Sequence, residues 1–138
     1  MQLAHINIAK FVKPMAHSAN AEFVNGIAEM NALAEQSEGF VWRLKDGSEG
    51  GLFGDSRTVS TISVWKNAEA LKNYSYKSNH VDYFRKRAKW FHKLDKANYA
   101  LWWIEDGQFP TALEAKQKLE YLWKNGVTEE VFDFKSLM

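Results

Sequence analysis

His5 and Asn7 lie two residues apart in the segment LAHINIAKF, residues 3–11. In an extended chain, side chains two apart share a face, so an imidazole and a carboxamide would stand about 7 Å apart on one side of a strand. An imidazole removes a proton near neutral pH, and a carboxamide hydrogen-bonds a ligand carbonyl or phenol. The pair suits deprotonation of a weakly acidic, oxygen-bearing ligand. The competing reading is that both groups satisfy neighbouring backbone or water.

A second constellation follows helical spacing. His80, Tyr83, Arg87 and Trp90 recur at i, i+3, i+7 and i+10, beside the apolar stripe Val81, Phe84, Ala88 and Phe91. A guanidinium beside aromatic rings stabilises an anionic oxygen and stacks on a planar ligand. With Arg85, Lys86 and Lys89 adjacent, the same line also reads as a solvated basic face. His80 follows the break at Ser78 and Asn79, where it reads equally as a helix-capping residue. Trp42, Trp65, Trp102 and Trp103 sit in strand-like segments and would line an aromatic cavity, or pack as core or dimer interface. Trp102 and Trp103 are adjacent and must point to opposite faces, so only one can line a given pocket.

Several chemistries are disfavoured. There is no Cys, which removes disulfides, thiolate catalysis and Cys-ligated metals. The histidines, at 5, 17, 80 and 92, include no i, i+4 pair, so no metal site is expected. Residues Gly47 to Gly54 lack the context of a phosphate loop. Lys plus Arg total 18 against 17 Asp plus Glu, a net charge of +1 that provides no field for nucleic acid or an anionic membrane. The opening MQLAHINIAKFVKP has no signal-peptide pattern, and no apolar run reaches the roughly 18 residues of a spanning helix. A soluble, cytoplasmic, unprocessed protein is expected.

The elements that must position these groups follow from periodicity. Leu3 to Phe11 alternates as a strand; Phe23, Ile27, Met30 and Ala34 give a helix broken at Gly39; Phe40, Trp42 and Leu44 alternate with Val41, Arg43 and Lys45 in a second strand. Asp46 to Asp55 is a Gly-rich loop. Thr58 to Trp65 is a third strand, and Asn67 caps a helix carrying Leu71 and Tyr74, followed from His80 by a second helical piece. Tyr99 to Ile104 reads as a strand buried on both faces. Thr111 with Glu114 forms a capping box for a helix with the stripe Ala115, Leu119, Leu122, and Gly126 is its C-cap. At 138 residues the chain has room for one domain, with a core over about 1–105 and a helical extension over about 110–126. The order is that of a ferredoxin-like βαββαβ fold, an α+β antiparallel sheet with helices on one face. The other face would be apolar, and a homodimer packing sheet on sheet would bury it.

The segments LAHINIAKF, FVWRL, STISVWKNAEAL, SNHVDYFRKRAKWF, ALWWIEDGQFPT and EAKQKLEYLWKNGVT resemble the bacterial family catalogued as domain of unknown function 3291, over nearly the whole chain. The resemblance implies membership of the dimeric α+β barrel proteins, alongside the antibiotic biosynthesis monooxygenases, and no established activity. That superfamily spans cofactor-independent oxygenases, haem-degrading enzymes and small ligand-binding stress proteins, and fold alone does not choose among them. The haem-degrading relatives carry an Asn on the first strand, and a Trp and then an axial His on the helix after the third strand. Asn7 matches; Tyr74 stands at the Trp position, and Phe84 or Arg85 at the His position, leaving His80 one turn earlier as the substitute.

The expected function is binding of a hydrophobic or aromatic small molecule between sheet and helices, with monooxygenase-like, cofactor-independent chemistry. His5 or His80 would act as base, Asn7 and Tyr74 would orient the substrate oxygen, and Arg87 would stabilise the anion. Trp65, Phe84 and Trp90 would line the ligand. The alternatives are a non-catalytic binding or stress-related dimer and a haem-binding protein.

Overall fold

The computed structural model describes residues 1–10, 31–44, 58–77 and 96–137. Strand β1 (Gln2–Lys10) lies between β3 (Thr58–Trp65) and β4 (Tyr99–Ile104), and β2 (Phe40–Arg43) pairs with the outer side of β3. The order β2-β3-β1-β4, with every pairing antiparallel, is the ferredoxin-like arrangement expected from the sequence. β3 and β4 occupy the ranges that periodicity predicts.

The two faces of β1 meet different partners. Ala4, Ile6 and Ile8 pack with Ile62, Val64, Ala100 and Trp102 against Ala115, Leu119 and Leu122 of the C-terminal helix. Leu3 packs with Trp65 and Leu101 against Ala34 and Leu71. Ala34 belongs to the helical residues 31–36, and Leu71 to helix α1 (Ala68–Lys77). Asn67 caps α1 as expected, its Oδ1 accepting from the Ala70 N–H at 2.8 Å.

The C-terminal helix α2 (Ala112–Asn125) begins at the predicted capping box: the Thr111 hydroxyl accepts from Glu114 N–H, and the Glu114 carboxylate accepts from Thr111 N–H. Gly126 ends it, with φ +74 and its N–H on the Leu122 carbonyl. Before the helix, Phe109 stacks on Trp42 of β2 with centroids 4.9 Å apart. In the last turn, Trp123 Nε1 donates to the Ala97 carbonyl at 2.8 Å, just before β4. The helix is therefore tied to opposite edges of the sheet.

This arrangement adds one feature to the expected fold and corrects one expectation. The sheet face opposite the first helices is not left open, because α2 covers it within the same chain; Ala4, Ile6, Val64 and Ala100 are all fully buried. At these residues the burial is supplied by α2 of the same chain. In β2, Phe40 and Trp42 do not share a face. The register shifts between them, so Phe40 opposes Trp65 while Trp42 opposes Val64, as a β-bulge requires. Phe40 then meets Trp65 edge to face on the side of α1, and Trp42 joins the α2 side.

The tail after α2 also folds back. Phe132 pairs with Leu101 in both directions at 2.9 Å along the outer edge of β4, and a short 3-10 helix, Phe134–Leu137, follows. Among the described residues, no helix is long and apolar enough to cross a membrane.

Candidate functional site

Register places the candidate residues in rows across the face toward α1. The first row runs Phe40, Trp65, Leu3, Trp103; the second Arg43, Ser63, His5, Leu101; the third Thr61, Asn7, Tyr99. The face therefore changes from aromatic and apolar to polar along the strands. His5 and Asn7 do project toward the helices, because period 2 puts them on the side of Leu3, which packs on Ala34 and Leu71. Both are half-buried, as is Ser63.

Each polar group has a defined setting. The His5 imidazole lies 6.0 Å from the Tyr99 ring, inclined at 54°. Ser63 Oγ accepts from Trp65 Nε1 at 3.0 Å, which fixes the indole. Arg43 Nε donates to Glu35 Oε1 at 2.7 Å, so a guanidinium in the His5 row is held by a carboxylate from the helical residues 31–36. The pair is partly solvated and serves orientation more than stability.

Tyr74 extends from α1 onto the first row. Its ring stacks on Trp65 with centroids 5.3 Å apart and planes 25° from parallel. Burial pushes its pKa up from 10.0 to about 12. At neutral pH it is a phenol, able to donate a hydrogen bond to a ligand oxygen and unable to serve as a base.

The structure thus brings His5, Asn7, Trp65 and Tyr74 to one face. His80, Phe84, Arg87 and Trp90 lie outside the described residues, as does Tyr83. Ser63, Thr61, Tyr99 and Arg43 were not predicted as site residues. Their signal was the parity of the strands: once His5 opposes Ser63, these residues must share its side. His5 supplies the one imidazole among the described residues, and among them no group of three or more acidic or His side chains could hold a metal. Chemically, the arrangement offers a proton acceptor, a carboxamide, a neutral phenol and hydroxyls beside an aromatic wall.

Fold and site together define a mixed α+β protein with a four-stranded antiparallel sheet and a polar row toward its helices. The chain belongs to the family described as Domain of unknown function (DUF3291), matched over residues 2–138. No curated protein matches it. Similar solved structures include SnoaB, a cofactor-independent oxygenase from Streptomyces nogalater, at 15% identity and a TM-score of 0.51, covering 78% of this chain and 96% of that one. Rv0793 from Mycobacterium tuberculosis matches at 11% identity and a TM-score of 0.58, covering 78% and 99%. NE2512, of unknown function, from Nitrosomonas europaea, matches at 13% identity and a TM-score of 0.55, covering 80% and 95%. At these identities the likeness is one of fold.

Proposed function

We propose that the protein binds a hydrophobic or aromatic small molecule between its sheet and helices and oxidises it in a cofactor-independent, monooxygenase-like reaction. The observation that carries this reading is the placement of His5 and Asn7 on the helix-facing side of β1, on the same face as Trp65 and its stacked partner Tyr74, with the His5 row adjoining the row that contains Trp65. The fold likeness to SnoaB is compatible with it.

In the proposed reaction, His5 takes a proton from an acidic C–H or O–H of the bound aromatic. Asn7 and the neutral Tyr74 phenol hydrogen-bond the ligand oxygen that gains charge. The carbanion or phenolate gives electrons to molecular oxygen, forming a C–O bond and a hydroperoxide. Loss of water leaves a ring carbonyl: one oxygen atom enters the product, and the other departs as water with two substrate hydrogens. The substrate is oxidised and oxygen reduced, so no flavin or metal is needed for the electron balance. His80, Phe84, Arg87 and Trp90 extend the proposal, with His80 as the alternative base, Arg87 as the group that would stabilise the anion, and Phe84 and Trp90 as ligand-binding residues. A cytoplasmic homodimer of the dimeric α+β barrel kind remains part of the proposal.

Anthrone and 1-naphthol are suitable probes, followed by dissolved-oxygen consumption and by quinone absorbance. His5→Ala is expected to lower turnover by about 10²- to 10⁴-fold, the range for loss of a general base. Asn7→Ala is expected to weaken binding by about tenfold, one hydrogen bond to a charged oxygen. Binding without turnover would leave a non-catalytic ligand carrier. Absence of both, or indifference to both substitutions, would overturn the proposal.

A further inference from the structure

We infer that the C-terminal segment is a working part of the helix-face site, and that Tyr99 is the positioning residue through which it fixes the His5 imidazole. The inference rests on the reading of His5 as the base of that site.

The segment is built to cross the edge of the sheet. After Gly126, the Thr128 hydroxyl accepts from the N–H groups of Glu130 and Val131, and Thr128 N–H donates to the Val131 carbonyl at 2.8 Å. Val131 then joins the core under α2, while Phe132 joins the core on the opposite face. The two are 1% and 4% exposed, so the chain straddles β4 at this point and is anchored on both sides. Paired backbone bonds to Leu101 hold the crossing in register.

Beyond the crossing, Asp133 and Ser136 close the next turn. Asp133 Oδ1 accepts from Ser136 N–H, and the Ser136 hydroxyl oxygen accepts from Asp133 N–H. This turn aims the Phe134 N–H at Tyr99, where it donates to the hydroxyl oxygen at 3.1 Å. The Phe134 and Tyr99 rings also meet, with centroids 5.5 Å apart. Tyr99 is thus held at its hydroxyl and along its ring by the tail, and its ring meets the His5 imidazole at 6.0 Å. His5 faces Leu101, and Asn7 faces Tyr99, so the Tyr99 ring reaches His5 on the diagonal of the antiparallel pair. An imidazole must present one nitrogen to its substrate, and a wall of fixed aromatic surface limits its rotation. The tail supplies that wall's support from outside the sheet.

The experiment uses the full-length chain and the NMR signals of the His5 imidazole, assigned by their loss in His5→Gln. Phe134→Ala removes a ring that packs on Tyr99; Tyr99→Phe keeps the ring beside His5 and removes only the hydroxyl. Both variants are expected to shift the His5 signals and its titration midpoint, and the double variant to shift them further. If the His5 signals and midpoint stay fixed while thermal stability falls, the segment is a structural brace and the inference is overturned. Should Phe134→Ala fail to fold, Tyr99→Phe decides in the same way. Absence of oxygen uptake by the unmodified protein, with His5 still responding to Phe134→Ala, would remove the catalytic reading and leave the positioning contact standing.

Discussion

The Trp65 indole and the Tyr74 phenol lie 25° from parallel with centroids 5.3 Å apart, so β3 and α1 meet through a stacked aromatic pair. An offset stack of this kind adds about 0.5–1.5 kcal/mol beyond its area burial. It also sets the environment of the Tyr74 hydroxyl, which burial keeps protonated.

The pH dependence follows from that burial. Folding raises the Tyr74 pKa from 10.0 to about 12, so between these values the folded chain holds a proton that the unfolded chain has released. Stability contributed by the neutral phenol is fully present below about pH 10 and declines as pH rises toward about 12, by at most about 1.4 kcal/mol per unit. Tyr74→Phe keeps the ring and abolishes this decline. Urea unfolding of both proteins at about pH 8 and about pH 11 checks it; a difference between them that does not change with pH would contradict the assignment.

Gly39 and Gly126 both have positive φ, +85 and +74, yet their substitutions are expected to differ. At Gly126 an added Cβ meets nothing within 4 Å, and Gly126→Ala should cost only the backbone strain of φ 74, ψ −171, about 1–3 kcal/mol. At Gly39 the added carbon collides with the Ala70 Cβ on α1. Gly39→Ala must therefore displace α1 as well, and should cost more than Gly126→Ala by about 1 kcal/mol or above. Denaturant midpoints of the two variants, measured side by side, test the ordering.

Leu119 is fully buried between α2 and the sheet. Leu119→Ala is expected to destabilise the protein by about 2–5 kcal/mol, from lost burial and the cavity left behind. Exposed Leu113, on the same helix and 60% accessible, provides the control: Leu113→Ala should stay within about 0.5 kcal/mol. Equal effects would mean that α2 does not cover the sheet as described.

Thr111→Ala removes the hydroxyl that accepts from the Glu114 N–H at 3.1 Å. A loss of about 1 kcal/mol is expected, the usual worth of an N-cap. Thr111→Ser keeps the acceptor and should recover most of it, which unfolding experiments on the two variants will distinguish.

Much of this architecture was legible in the sequence because it rests on local rules. The β-branched alternation of Thr58 to Trp65, the capping box at Thr111 and the stop at Gly39 are each decided by a few neighbouring residues. What escaped depends on relations between distant segments. The stripe Ala115, Leu119, Leu122 was plain, but periodicity says that a helix has an apolar face and not which surface it covers. The bulge in β2 inserts a residue that strict alternation cannot anticipate, although the consecutive apolar Phe40, Val41 and Trp42 fit a strand with both faces covered. Val131 and Phe132 form too short a run to register any period, and their roles come from straddling β4. The pair His5 and Asn7 was legible from spacing, whereas Ser63, Thr61 and Tyr99 needed the strand register.

The Leu101–Phe132 bridge has a further consequence, for the fate of the chain in a crowded solution. β4 lies at the margin of the sheet, and its sequence YALWWI is apolar, rich in aromatic residues and free of charge. Such a strand is a template on which another molecule can align and begin a fibril. Phe132 occupies both outward backbone groups of Leu101, in the middle of that strand. An incoming strand would have to displace it before pairing in register, so the bridge guards this apolar edge against other molecules.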